Sequence, residues 1–272
     1  MTALRRDGFS LIELLMALVV MAIVGNAILA MVIAMQRITR QQSEVAALQG
    51  SLRTGLQLLQ AELLELAPED LTDLSDRQLG YRAMRGIGET CELGTTELKL
   101  RKATYAGLRP PTQGRDGLWL FLDGDSTRTT DDRWIALDLG GVAASACPDG
   151  EEAWSLGISL APEDLARGWV PGPIRTFEQM EIGQVQADGQ EWLGIRSIGF
   201  GEESLVPVTG PVPWNGVRFR YLDQDDALTG NPLAVTSILI TLRGVTERPV
   251  GIGNGGGIAP TDSLTLRIRL RN

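Results

Sequence analysis

A carboxylate set in an apolar run is the first residue with chemical potential. Glu13 follows Phe9-Ser10-Leu11-Ile12 and precedes Leu14–Gln36, 23 residues without a charge. An ionisable group at membrane depth costs a few kcal/mol unless it is paired or near the interface. Glu13 therefore either lies at the headgroup boundary or meets a cation brought by a partner, and composition does not choose between these. Histidine is absent. That excludes a Ser-His-Asp triad, a Cys-His dyad, His-ligated zinc and any imidazole proton transfer. The two cysteines, Cys91 and Cys147, are too few for a Cys-only zinc site. Two acidic clusters carry calcium-type ligands: Asp123, Asp125, Asp131 and Asp132, then Asp223, Asp225 and Asp226. Neither has the glycine and glutamate that an EF-hand loop places sixth and twelfth. Both follow aromatic-rich strands, so hairpin turns are the simpler account and no metal is assigned. The tryptophans (Trp119, Trp134, Trp154, Trp169, Trp192, Trp214) could form a sugar platform or serve a glycosidase with paired carboxylates. Core packing and strand anchoring explain them more simply. Gly251–Gly257 lacks the GK[ST] of a phosphate-binding loop and reads as a flexible connection. No cofactor is implied.

The elements that position these residues begin with a helix. Leu14–Gln36 is long enough to cross a hydrocarbon core of about 30 Å. A secretory signal peptide is the competing reading, but its apolar region is usually about 7–15 residues and ends at a small-residue cleavage site. Here the run is longer and passes unbroken into further helix, which favours a retained membrane helix. Arg5 and Arg6, offset by Asp7, precede the run, and Arg37 and Arg40 follow it, so the positive-inside rule leaves orientation open. Val45, Leu48, Leu52, Leu56, Leu59, Leu63 and Leu66 then recur every three or four residues, the stripe of an amphipathic helix. That stripe predicts the core seam of the chain's own globular domain; a partner-binding coiled coil is the other reading. Gly50 and Gly55 cost about 1 kcal/mol each against alanine and predict local softness. The pattern stops at Pro68, the first proline. A helix over Phe9–Ala67 would span roughly 90 Å.

Beyond Pro68 the pattern turns to strands. Leu98–Tyr105, Gly117–Asp123, Trp134–Leu139, Trp154–Leu160 and Trp192–Ile198 read as strands between turn residues. Val217–Tyr221, Ile238–Arg243 and Leu264–Arg271 alternate apolar with polar or arginine residues. Period two places the apolar set against the helix stripe and the arginines on the other face. The fold class is α+β: a long N-terminal helix laid on antiparallel sheet. The arginine face (Arg218, Arg220, Arg243, Arg267, Arg269, Arg271) could meet DNA, acidic neighbours or water alone. With 272 residues, net charge −9 and 43% apolar residues, the chain allows one large domain or two small ones. Its acidic balance argues against nucleic acid as the default partner.

Met1–Val20, MTALRRDGFSLIELLMALVV, resembles the start of a type IV prepilin. A short basic leader ends in Gly8, Phe9 follows, and Ser10-Leu11-Ile12-Glu13 opens an apolar helix. The resemblance implies cleavage between Gly8 and Phe9 by a prepilin peptidase and methylation of the new Phe9 amine. It also implies that Glu13 pairs with the N-terminal amine of a neighbouring subunit. The implied organisation is a leader over 1–8, a transmembrane and filament-core helix over 9–36, an amphipathic second half over 37–67 and a periplasmic β-rich domain over 68–272. Ser43–Leu66, VRFRYLDQDDALT (217–229) and DSLTLRIRLRN (262–272) are further similar to minor pilins or pseudopilins of the PilW/GspJ kind, from type IV pili and type II secretion respectively. The implied partners are prepilin peptidase, other major and minor pilins or pseudopilins, an inner-membrane assembly platform, and membrane lipid before assembly. The implied site is the inner membrane, crossed once, with the C-terminal domain in the periplasm, and then the filament. The implied role is a non-enzymatic filament, tip or priming subunit. A membrane-tethered adhesin, a DNA-uptake binder and a tethered hydrolase are the alternatives. In an oxidising periplasm Cys91 and Cys147 can pair, closing a loop worth roughly 4 kcal/mol in the chain-entropy model; two free thiols are the other reading. Some pseudopilins bind calcium, which keeps Asp123, Asp125, Asp223 and Asp225 as candidates by resemblance.

Overall fold

The structure, a computed structural model, describes residues 10–124, 127–128, 131–246 and 259–271. Helix α1 spans Leu11–Leu63 and is followed by a 3-10 turn at Pro68–Asp70. The expected stop at Pro68 is thus four residues late, because Pro68 heads the 3-10 turn and α1 has already ended. Two compact units divide between Gln49 and Gly50. The first contains residues 10–49 with 246 and 259–260; the second contains 50–245 and 261–271.

In the second unit the last turns of α1 bury Leu52, Leu59 and Leu63, and Leu66 is buried just beyond. Gly55 is a packing residue and no soft spot. A Cβ there would stand 3.0 Å from Leu242 Cδ2 and also meet Thr209, so the missing side chain lets the helix approach the strands. Ser51 fixes the same contact: its Oγ donates to the Gly210 carbonyl at 2.9 Å and shares a 2.8 Å hydrogen bond with Thr209 Oγ1.

Fourteen antiparallel strands follow among the described residues. The first seven are β1 (Leu71–Leu74), β2 (Gln78–Leu93), β3 (Glu97–Arg101), β4 (Ala106–Gly107), β5 (Asp116–Leu122), β6 (Arg133–Asp138) and β7 (Gly141–Ala146). Then come β8 (Glu152–Gly157), β9 (Pro173–Ala187), β10 (Gln190–Ser197), β11 (Val206–Val212), β12 (Val217–Leu222), β13 (Ser237–Val245) and β14 (Thr261–Arg269). The large sheet runs β11-β10-β9-β2-β3-β8-β7, with β5 joining β9 and β6 joining β5. The small sheet is β12-β13-β14. One core cluster packs Leu98, Leu100, Leu118, Leu120, Ile174 and Leu156 between strands of the large sheet. In the small sheet Val217, Phe219, Tyr221, Ile238, Ile240 and Leu242 are buried, the alternation that the sequence predicts. The expected strand over Leu98–Tyr105 ends at Arg101, where a 3-10 turn takes Lys102–Thr104.

Cys91, near the end of β2, is bonded to Cys147, just after β7, with Cα atoms 5.7 Å apart and a sequence separation of 56. The pair packs on Ala153 of β8 and ties β2 to the β7–β8 hairpin.

Candidate functional site

The N-terminal stretch of α1 carries Glu13. Gly8 and Phe9 lie outside the described residues. Ser10 precedes the helix, and the Glu13 N–H donates to the Ser10 carbonyl at 3.1 Å and to Ser10 Oγ at 3.3 Å. Ser-x-x-Glu is the spacing of a capping box, in which the serine accepts the N–H of the third helical residue. A carboxylate in the first turn also suits the positive end of the helix dipole. Sequence reading missed this second use of Glu13, although Ser10-Leu11-Ile12-Glu13 spells it out.

After Glu13 no charged residue occurs until Arg37. Leu14, Leu15, Met16, Leu18, Val19 and Val20 are all exposed, and the exposure of large apolar side chains continues to Ile38. The helix is long and apolar enough to cross a membrane. A helix apolar on every side is stable only when something outside its own chain surrounds it.

The second acidic cluster does structural work. Asp223 Oδ1 accepts the N–H groups of Asp225 and Ala227, both at 2.9 Å, which shapes the turn after β12. Asp226, at φ 60°, pairs with Arg267. The Asp123 N–H donates to the Arg167 carbonyl at 3.0 Å. Asp125 lies outside the described residues, as does Gly251–Gly257. No group of three or more acidic or cysteine side chains among the described residues is placed to hold a metal.

The strongest electrostatics lie on β9, which sequence reading did not find. Glu178 is 1% exposed. It accepts from Arg85 Nε at 2.9 Å, Arg115 Nε at 2.5 Å, Arg109 at 3.4 Å and Ser197 Oγ at 2.5 Å. Arg85 reaches it because β2 bulges there: Met84 faces Phe177 and Gly86 faces Thr176, leaving Arg85 unpaired. Asp116 lies opposite Glu178 on β5 and takes Arg109 through both oxygens at 2.5 and 2.6 Å. Burial alone would raise the Glu178 carboxyl. The hydrogen bonds from Arg115, Ser197 and Arg85, with the charge of Arg85, overcome that and hold it down to about 2. An ionised carboxylate wrapped in guanidiniums is a poor general acid, so this pair holds strands together and does not suit glycosidase work.

Core packing does not account for all the tryptophans: Trp119, Trp134, Trp154 and Trp192 are half-buried on strands, whereas Trp169 and Trp214 are exposed and lie outside them. Trp119 stacks near Phe177, and Arg82 lies 5.1 Å from its ring centroid. Trp134 carries Arg175 at 4.2 Å. Both line a cleft with Asp132, Arg175 and Arg271. Arg271 thus leaves the arginine face on which alternation puts it: it lies past the end of β14, and its N–H donates to the Leu66 carbonyl at 2.8 Å.

No curated protein and no solved structure matches the chain. Residues 4–25 match a family model described as the Prokaryotic N-terminal methylation motif, a stretch that contains Gly8, Phe9 and Glu13. Together with the exposed apolar helix that follows, the motif supports a membrane-anchored, type IV pilin-like chain that is a substrate of prepilin peptidase.

Proposed function

We propose that this chain is a minor pilin or pseudopilin of the PilW/GspJ kind. Prepilin peptidase cuts between Gly8 and Phe9 and methylates the Phe9 amine. The subunit waits in the inner membrane with its β-rich domain in the periplasm, then joins the filament, tip or priming complex of a type IV pilus or type II secretion system. It performs no catalysis. The observation that carries this reading is the methylation motif directly ahead of a helix with exposed apolar side chains on all sides.

The mechanism is packing with one electrostatic pin. Extracting apolar helices from lipid into a bundle replaces one apolar surrounding with another, so burial supplies little preference for register. A carboxylate in that bundle does. Unpaired it costs a few kcal/mol; opposite a cationic amine from the next subunit it is satisfied. Glu13 thereby selects the single stagger in which its partner amine is within reach.

Replacing Glu13 by alanine tests this. The Glu13→Ala chain should keep the thermal midpoint of the wild type in detergent, since Glu13 is an exposed residue of the first unit, yet enter isolated filaments poorly. Wild-type incorporation of the variant would overturn the reading.

A further inference from the structure

The outer face of the small sheet is charged with one sign. β12 presents Arg218 and Arg220, β13 presents Arg243, and β14 presents Arg267 and Arg269, all exposed. Register sets Arg218 in line with Thr241 and Thr265, and Arg220 in line with Leu239 and Arg267. The guanidiniums therefore start from one pleated surface, about 7 Å apart along a strand and about 10 Å apart across two strands. Asp226 meets this face and pairs with Arg267, which also donates to Ser237 Oγ. Among the described residues, Arg218, Arg220, Arg243 and Arg269 have no ion pair.

Folding does not call for this arrangement. The buried face of the same strands supplies the packing, and any polar residue would serve on the outside. No arginine stands directly opposite another on a neighbouring strand, yet gathering five like charges on one face is unfavourable and mixed signs would relieve it. The concentration is also against composition, because the chain as a whole is at −9. Subunits this acidic repel one another, and a basic face set against an acidic surface reverses that locally and gives direction to the contact. Such a head-to-tail contact propagates and does not close on itself.

We propose that this arginine face docks the acid-rich surface of a neighbouring subunit in the filament. The proposal rests on the pilin-like reading and adds to it a second contact, made by the globular part of the chain. Leu239, Thr241 and Thr265 lie between the arginines. None is aromatic, so the face lacks the stacking platform of single-strand nucleic-acid binders.

The test uses the full chain in detergent and a variant carrying Arg218→Glu, Arg220→Glu and Arg269→Glu, which spares the Arg267–Asp226 pair. A second variant carries glutamine at the same three positions, so that neutralisation and reversal are separated and a misfolded reversal variant is recognised by its thermal midpoint. The probes are a fluorescent poly-glutamate peptide and an oligothymidylate of equal charge. Wild type should bind the peptide at low salt and lose about tenfold in affinity as the salt is raised. The glutamine variant should lose about tenfold and the glutamate variant more. In producing cells, a photo-crosslinking residue at Thr241 should form an adduct with a pilin-like subunit in the wild type and none in the glutamate variant. Peptide binding untouched by both variants overturns the proposal, as does an oligothymidylate affinity tenfold above that of the peptide, which reassigns the face to nucleic acid. Absence of the Thr241 adduct in assembled filaments also overturns it. A chain that keeps residues 1–8 defeats the filament reading and leaves the peptide result standing, so the two failures are distinguishable.

Discussion

Two stretches of one helix, built from the same residue types, meet opposite fates. Leu14, Ile28 and Leu29 are 56–58% exposed, whereas Leu52, Leu59 and Leu63 are 0–2% exposed. The second stretch has an apolar stripe and a polar back, the pattern of a helix with its own sheet to cover it. The first is apolar on every side and carries one acid at its start. One stretch is satisfied by its own chain, and the other is built for surroundings that the chain itself does not supply.

Truncating one leucine in each stretch should break this comparison most sharply. Leu59→Ala removes a fully buried side chain and should lower unfolding stability in detergent by about 4 kcal/mol, whereas Leu29→Ala should change it by less than about 0.5 kcal/mol. Equal losses would erase the distinction. Next in size is the Cys91–Cys147 bond, which braces the buried part alone. Serine at both positions should cost about 3 kcal/mol, measured by denaturant midpoint, with no change in processing at Gly8.

Acid should then act on the second unit through Glu178. Its carboxyl is held at about 2 against an ordinary value of 4.5, so its contribution is present above pH 4.5 and is lost as the pH falls toward 2. The stability difference between wild type and Glu178→Gln should therefore shrink by up to about 3 kcal/mol over that window. A difference independent of pH would show that the three arginines do not hold the charge. The smallest expected effect is at Gly55, where Gly55→Ala should destabilise by about 1–2 kcal/mol through contact with Thr209 and Leu242, despite the better helix propensity of alanine. At Gly50, where nothing lies within 4 Å, the same change should stabilise.

Those last two glycines show what a single sequence can and cannot give. Both read as soft spots, and only the approach of β11 and β13 tells them apart. The small sheet was legible because one of its faces is buried, so alternation is written into Val217–Tyr221 and Ile238–Leu242. β2 and β9 were not legible. β2 is interrupted by Gly80, Gly86 and Gly88, and β9 buries Thr176, Glu178 and Glu181, so neither shows a clean period of two. The arginines that make a buried Glu178 tolerable lie 63 to 93 residues away in sequence, a pairing no local pattern reveals. Glu13 was legible for the opposite reason. Its significance rests on a contiguous string, Gly8 to Glu13, and on the uncharged run after it.

Mass spectrometry of the mature chain from producing cells addresses the central claim most directly. Processing ahead of a partner-seeking helix predicts a first residue of Phe9 bearing one methyl group on its amine. A chain that begins at Met1, or one cut after the apolar helix, would contradict it.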